Sequence, residues 1–342
     1  MNTLLLDGNR ISDIEIAAKL IRNGETVGMP TETVYGLAAD ARNEAAVAKI
    51  FEAKGRPADN PLIVHIAEFS QAELYTSYIP ELAYRLAERF CPGALTMILP
   101  KNGIIPSITS GGLDTVGIRV PSHETARKLI ELSGCPIAAP SANISGRPSP
   151  TSASHVMADM NGKISAVLDG GECEFGVEST VIKFDDNAAV RILRPGGVTF
   201  EDLCKFADRV IVDDAVISGE ICGRVESPGM KYRHYAPTAK VFLVEADCGT
   251  FNNFAQNMRR DGIYFIAYGD EVSGGGSLIE RKYVLSYGTD SEEQARRIFA
   301  VLREIDQIGA ESVYIRLPAK QGIGLAVYNR LLRAGEFEVI RL

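Results

Sequence analysis

Several stretches of the 342-residue sequence carry side chains whose types and spacing could hold a small polar or phosphorylated ligand. Pro30–Ala41 reads PTETVYGLAADA, with two threonines, a glutamate and a tyrosine before a glycine. Short hydroxyls past a strand end can meet a polar ligand, because open α/β sheets bind in the crevice at strand ends. The same hydroxyls can bond their own backbone in a capped turn, and this stretch alone leaves both readings open. Lys54–Leu62, KGRPADNPL, sets Lys54 and Arg56 around a glycine at a helix end. Two cations there complement the helix dipole; they could equally grip phosphate, Arg56 as a planar fork and Lys54 as a point charge. Pro57 and Pro61 stiffen that loop.

Three further stretches are of the same kind. Ala138–Thr151, AAPSANISGRPSPT, is dense in Ser, Pro and Gly, with Ser141, Asn143, Ser145 and Ser149. Its hydroxyls and backbone N–H groups could surround a phosphate or a base edge, and a connection this long without a function is uncommon. Asp169–Val181, DGGECEFGVESTV, ends with Ser179 and Thr180 entering a strand. Arg191–Val198, RILRPGGV, puts Arg194 at a strand end before a proline, and GIRVP does the same for Arg119. His65, inside LIVHI, reads from pattern alone as a core imidazole.

Other chemistries are missing from the sequence. It has no G-x-x-x-x-G-K-[ST] phosphate loop, no G-x-S-x-G elbow and no H-E-x-x-H zinc pattern. The six cysteines are scattered without a C-x-x-C pair, which fits reduced thiols. No carboxylate cluster forms a metal cage, so magnesium would be held mainly by substrate phosphates. Net charge is −8, with −6 accumulated by Ala207 and −2 beyond it. That balance argues against a dedicated nucleic-acid binder but leaves room for a local basic cleft. No apolar run is long enough to span a membrane and the N-terminus has no signal-peptide pattern, so a cytoplasmic protein is expected.

The elements that must position these residues follow from periodicity. Strands are expected at Thr26–Met29, Leu62–Ile66, Leu95–Leu99, Val116–Val120, Ala166–Leu168, Thr180–Phe184 and Arg191–Leu193. Helices are expected over Asn43–Lys54, capped by Asn43, and Ser122–Leu132, capped by Ser122. Composition shifts near Asp208, and residues 208–238 form a Pro- and Gly-punctuated linker. Beyond it strands at Lys240–Val244, Ile263–Ala267, Lys282–Leu285 and Ser312–Arg316 alternate with helices at Asn252–Arg260, Ser291–Ile308 and Gly324–Arg333, with a turn at Gly274–Gly276. That is the pattern of a small doubly wound α/β domain. The GIG at 322–324 reads as a helix start that needs room rather than as a nucleotide site. The expected division is 1–207, 208–238 and 239–342.

Taken together the strings PTETVYGLAADA, KGRPADNPLIVHI, PGALT, GIRVPSH, APSANISGRPSPT, GVESTV, RPGGV and SPGMKYRHYAP resemble the YrdC/Sua family of threonylcarbamoyl-AMP synthases in its two-domain form. Cys91 departs from that pattern, where many members carry tryptophan, and would alter packing rather than chemistry. The resemblance implies a YrdC-like twisted open α/β sheet with a concave, locally positive cleft, followed by a small Rossmann-like domain. It implies that L-threonine is held by Thr33, His65, Arg119, the Ala139 backbone and Ser179. It implies that ATP meets Arg56, Asn60, Thr115, Ser141, Ser149 and Arg194, with Lys54 and Arg56 serving catalysis at the phosphates, Mg2+ accompanying the nucleotide, and His234 or its neighbours closing over it as part of a lid. The implied reaction joins L-threonine, bicarbonate and ATP, releases pyrophosphate, and hands the product to a downstream tRNA-modifying threonylcarbamoyl transferase complex. Neither a membrane nor stable nucleic-acid binding is needed. Two rivals are a non-catalytic RNA-binding module, which the acidic charge disfavours, and a different carbamoyl or adenylyl transferase, which the lack of zinc-finger cysteines disfavours. Preference for threonine over serine rests on one methyl group, about 1–3 kcal/mol, and is not legible.

Overall fold

A computed structural model describes residues 2–186, 188–219, 227, 235–258, 260–269 and 283–342. The chain runs through β1 (Leu4–Asp7), α1 (Ile11–Arg22), β2 (Val27–Met29), β3 (Gly36–Asp40), α2 (Glu44–Lys54), β4 (Ile63–His65), a 3₁₀ turn (Phe69–Leu74) and α3 (Glu81–Phe90). It continues through β5 (Leu95–Pro100), β6 (Thr115–Arg119), α4 (Glu124–Ser133), β7 (Ile137–Ala138), α5 (Ala153–Met160), β8 (Ala166–Asp169), β9 (Thr180–Phe184) and β10 (Ala189–Arg194). Then come α6 (Phe200–Leu203), β11 (Arg209–Val212) and α7 (Ala215–Ser218). The second unit holds β12 (Lys240–Glu245), α8 (Cys248–Met258), β13 (Ile263–Ala267), β14 (Val284–Ser286), α9 (Ser291–Gln307), β15 (Ser312–Arg316), α10 (Gly324–Ala334) and β16 (Val339–Arg341).

The first eleven strands make one mixed sheet in the order β1-β8-β2-β3-β7-β4-β6-β5-β9-β10-β11. The last five make an all-parallel sheet in the order β14-β13-β15-β12-β16. Both the mixed open sheet and the second, parallel α/β unit agree with the fold expected from sequence. The first sheet is covered on both faces. Val47, Ile50 and Phe51 of α2 and Leu82 and Leu86 of α3 enter one apolar core, while Ile14 and Ile21 of α1 and Leu129 and Ile130 of α4 enter another. Burial on both faces is why strands such as Leu95–Leu99 read as continuous apolar runs rather than as alternation.

Local chemistry sets the element ends. Asn43 caps α2, its side-chain oxygen accepting from the N–H groups of Ala45 and Ala46. Helix α2 then stops at Gly55, which is left-handed at φ 62°. The expected cap at Ser122 is not made. Helix α4 starts after His123 with no side-chain cap. Strand β11 extends the first sheet by pairing with β10, so ordered structure continues past residue 207. The turn at Gly274–Gly276, residues 220–226 and 228–234 of the expected 208–238 linker and Lys282 lie outside the described residues, and the described start of that linker is β11 and α7 rather than irregular chain. Five cysteines within them are free thiols, and Cys91 packs half-buried against the larger core. Among the described residues no helix is long and apolar enough to cross a membrane.

The second unit docks on the loops of the first. Val34 and Val177, from PTETVYG and GVESTV, share one core with Ile298 and Phe299 of α9 and Val327 and Leu331 of α10. Arg303 of α9 reaches across to donate to Asp159 Oδ2 at 2.8 Å and to the Pro148 carbonyl at 2.6 Å. Gly176 (φ 70°) lies directly on α9: a Cβ there would meet the Arg296 backbone and the Ala295 carbonyl, the latter at 2.5 Å. A methyl group at that seam therefore needs backbone movement on one side. Gly176→Ala is expected to lower stability by about 1–3 kcal/mol in urea unfolding. Unchanged stability would show that the two units do not meet at this contact in solution.

Candidate active site

Topology gathers the strand-end residues. Strand β4 is parallel to β6, and the register of β5, β9 and β10 makes β10 run the same way. The last residues of these three strands are His65, Arg119 and Arg194. Ser179 immediately precedes β9, which starts where β10 ends. All four border one cavity that opens to solvent. Thr31, Thr33, Val34, Gly36, Arg56, Ile63, Ala139, Ser141, Glu178 and Tyr235 are also on its wall. Segments far apart in sequence thus converge, and the crevice lies at carboxyl ends of strands, as is usual for α/β sheets.

The polar groups are buried and held from behind. Arg119 is 5% exposed; its Nη2 donates to Glu32 Oε1 at 2.7 Å and its Nε to the Gly93 carbonyl at 3.4 Å. Burial alone would raise the Glu32 carboxyl, but the Arg119 charge and hydrogen bond outweigh it and leave it below the usual range. Arg194 donates Nε to the Ser179 carbonyl and Nη2 to Ser179 Oγ, both at 3.1 Å, and Ser179 Oγ shares a 2.8 Å hydrogen bond with Thr96. Burial pulls Arg194 down to about 10, so it stays cationic at neutral pH. Arg56 donates to the Asn60 and Pro61 carbonyls at 3.1–3.4 Å, which aims its fork from the loop. Glycine is required at 196 because a Cβ there would strike the Glu178 carbonyl and the Thr180 nitrogen, the backbone that presents Ser179.

His65 differs from the arginines. Burial, then the charge of Arg119, lowers it to about 3, so the imidazole is neutral at physiological pH. Its Nδ1 is buried with no hydrogen-bond partner, as are Glu32 Oε2 and Asn60 Oδ1 nearby. A buried acceptor without a donor is costly. His65 borders the cavity, so its Nδ1 fits a ligand that brings a donor as well as negative charge.

Similarity to known proteins agrees with this geometry. The Sua5/YciO/YrdC family, described as telomere recombination, matches residues 19–196, and the threonylcarbamoyl-AMP synthase C-terminal domain matches residues 198–335. The threonylcarbamoyl-AMP synthase of Pyrococcus abyssi is 49% identical over 331 residues, covering 96% of each chain. That of Bacillus subtilis is 44% identical over 329 residues, covering 95% of this chain and 93% of its own. The crystal structure of P. abyssi Sua5 complexed with L-threonine is similar over 100% of both chains, with a TM-score of 0.92 and 45% identity. The chain belongs to the threonylcarbamoyl-AMP synthases.

The residues expected at a threonylcarbamoyl-AMP synthase site, His234 apart, can now be located. Thr33, His65, Arg119, Ala139 and Ser179 all border the cavity, as do Arg56, Ser141 and Arg194. The Ala139 N–H is already donated to the Ile63 carbonyl. Asn60, Thr115, Ser149 and Lys54 are not on the cavity wall. Ser149 is fully buried and donates to Glu178 Oε1 at 2.6 Å. Lys54, also buried, donates to the carbonyls of Ser141 and Asn143 and to Asn143 Oδ1, so it clamps the APSAN loop rather than facing the cavity. Burial, then the neighbouring Arg56, lowers its pKa well below that of an ordinary lysine. His234 lies outside the described residues, but its neighbour Tyr235 stands on the wall, buried, at φ 66°.

Sequence reasoning missed Glu32, Glu178 and Arg330 as site groups, and reached Tyr235 only as an unnamed neighbour of His234. Glu32 and Glu178 were visible as single carboxylates inside hydroxyl-rich strings. Arg330 left a fainter trace, a cation beside Asn329 on the apolar face of α10.

The neutral His65 has a measurable consequence. Its folded pKa lies below its unfolded one, so the unfolded chain takes the proton first. Its contribution is intact above about pH 6.5 and falls by up to about 1.4 kcal/mol per pH unit as pH drops toward 3. His65→Asn is expected to flatten the fall in urea midpoint between about pH 6.5 and 5. An unaltered slope would mean that His65 is protonated in the folded protein.

Proposed function

We propose that this cavity holds L-threonine against Thr33, His65, Arg119, Ala139 and Ser179, and the phosphates of ATP against Arg56, Ser141 and Arg194. The observation that carries the reading is a wall with three buried guanidinium groups and one carboxylate, Glu178. Taking cations out of water is expensive unless anions complete them, and an amino-acid carboxylate and a triphosphate are the anions that this synthase brings together. Arg119, braced by Glu32, suits the carboxylate of threonine by paired N–H donation. The neutral His65 Nδ1 suits a hydrogen from its amine. Lys54, Asn60, Thr115 and Ser149 act in this reading from behind the wall, by holding the loops that touch the nucleotide. In this reading the first unit, through β11, carries the chemistry, Tyr235 closes part of the wall, and residues 239–342 support it.

The activity is a nucleotidyl transfer that makes threonylcarbamoyl-AMP for threonylcarbamoyladenosine modification of tRNA. In the proposed course the threonine amine condenses with bicarbonate, losing water, to give an N-carboxylate. One oxygen of that carboxylate bonds to the α-phosphorus of ATP as the bond to pyrophosphate breaks. No enzyme nucleophile is needed; the protein supplies proximity and preorganised donors. Among the described residues no three His, Cys, Asp or Glu side chains converge on a metal site, and both carboxylates near the cavity are taken by guanidinium groups. In this reading magnesium would accompany the phosphates. The product would pass, in the cytoplasm, to a tRNA-modifying transferase complex.

Pyrophosphate release should require ATP, L-threonine and bicarbonate together; release that ignores threonine would exclude this reading. Arg56→Ala should lower kcat/KM by roughly 30- to 1000-fold, corresponding to about 2–4 kcal/mol of transition-state stabilisation, with the fold intact. An undiminished rate would remove Arg56 from the phosphates.

A further inference from the structure

The second domain sends one cation into the first. Arg330, in the middle of α10, is fully buried. Its Nε donates to Glu178 Oε2 at 2.8 Å, and its Nη1 to the Pro195 carbonyl at 2.8 Å and to Asn329 Oδ1 at 3.1 Å. Asn329 in turn donates to the Val216 carbonyl at 2.7 Å, which ties α7 to the same helix. On the far side Glu178 accepts from Ser149. Glu178 and the two groups beside it in space, Ser179 and Arg194, are on the cavity wall. Pro195 directly follows Arg194. A single side chain of the second domain therefore grips a wall carboxylate and the backbone next to a wall guanidinium.

The charges explain why this matters. Glu178 is buried, and two cations act on it: Arg330 most strongly, then Arg194. A buried carboxylate must have a cationic partner. If Arg330 satisfies it, Arg194 keeps its hydrogen bonds to Ser179 and its face to the cavity. If Arg330 is lost, Arg194 is the other cation that acts on Glu178, and drawing it there costs the nucleotide a contact.

We propose that Arg330 is a positioning residue of the active site: by occupying Glu178 and the Pro195 carbonyl it reserves Arg194 for ATP, so that a competent nucleotide site depends on the docked second domain. This rests on reading Arg194 as a nucleotide contact. It gives the second domain a specific part in the reaction, beyond covering apolar surface.

The test is a double-mutant cycle in the full-length enzyme, read as separate KM values for ATP and L-threonine and as kcat. Arg330→Met should raise KM for ATP by about tenfold or more, with a smaller rise in KM for L-threonine, which loses only the support that Arg194 gives Ser179 while the Glu32–Arg119 side is untouched. Adding Glu178→Gln removes the charge that captures Arg194, so the double variant should recover part of the lost ATP affinity. A role in packing alone would make the double variant equal to or worse than the single one, and that outcome overturns the proposal. Where Arg330→Met fails to fold, Arg330→Lys serves, since it keeps the charge but loses the fork; it should show a smaller rise in KM for ATP that Glu178→Gln does not relieve, and wild-type kinetics in it would count against the proposal. Arg194→Ala separates the two layers. A wild-type KM for ATP in that variant overturns the nucleotide role of Arg194 and this inference with it. An impaired Arg194→Ala beside a kinetically normal Arg330→Met overturns this inference alone.

Discussion

The structure depends on keeping guanidinium groups charged in a place that water barely reaches. Arg56, Arg119, Arg194 and Arg330 are each less than 9% exposed, and all bear on one cavity. Desolvating them individually would cost several kcal/mol apiece. The fold offsets that cost with carbonyls and carboxylates set behind the wall: Glu32 behind Arg119, the Asn60 and Pro61 carbonyls behind Arg56, the Ser179 backbone behind Arg194. What remains facing inward is donor-rich and positive, in a medium where a charge acts strongly. Proximity and electrostatic stabilisation can then do the work without a nucleophilic side chain.

The same constraint accounts for the shape of the molecule. The wall is built from strand ends and from the turns that follow them, and such turns are held weakly by their own backbone. Three ties steady them. Lys54 clamps the loop at 141–143, Tyr35 donates to the Gly171 carbonyl at 2.7 Å, and the second domain leans on Val34, Val177 and Glu178. Buried ion pairs of this kind add little net stability but enforce one arrangement. A precise site explains their presence better than a need for stability does.

Much of this was legible in the sequence, for identifiable reasons. Strands such as Thr180–Phe184 and the Asn43-capped helix declare themselves through apolar runs and a cap. The cavity residues sit where strands stop at proline or glycine, as with Arg119 before Val120–Pro121 and Arg194 before Pro195. Strand β3 was hidden inside a string read as chemistry, and α1 and α3 passed unremarked although both are amphipathic. The Ser122 cap failed because α4 begins one residue later, after His123, and no side chain caps it. Ser149 and Lys54 show the limit most clearly. Their types fit a phosphate site, yet whether such a group faces the ligand or braces the loop that does is decided by contacts as distant as Glu178 and Asn143. Arg330, 152 residues from its partner, could not be paired from sequence at all.

The central claim is that the cavity is cationic because its ligands are anions. Calorimetric titration with L-threonine and with L-threonine amide tests it most directly, since the two share side chain and amine and differ in the carboxylate. The account predicts that the amide binds at least about tenfold more weakly. Equal affinity for the two would contradict it.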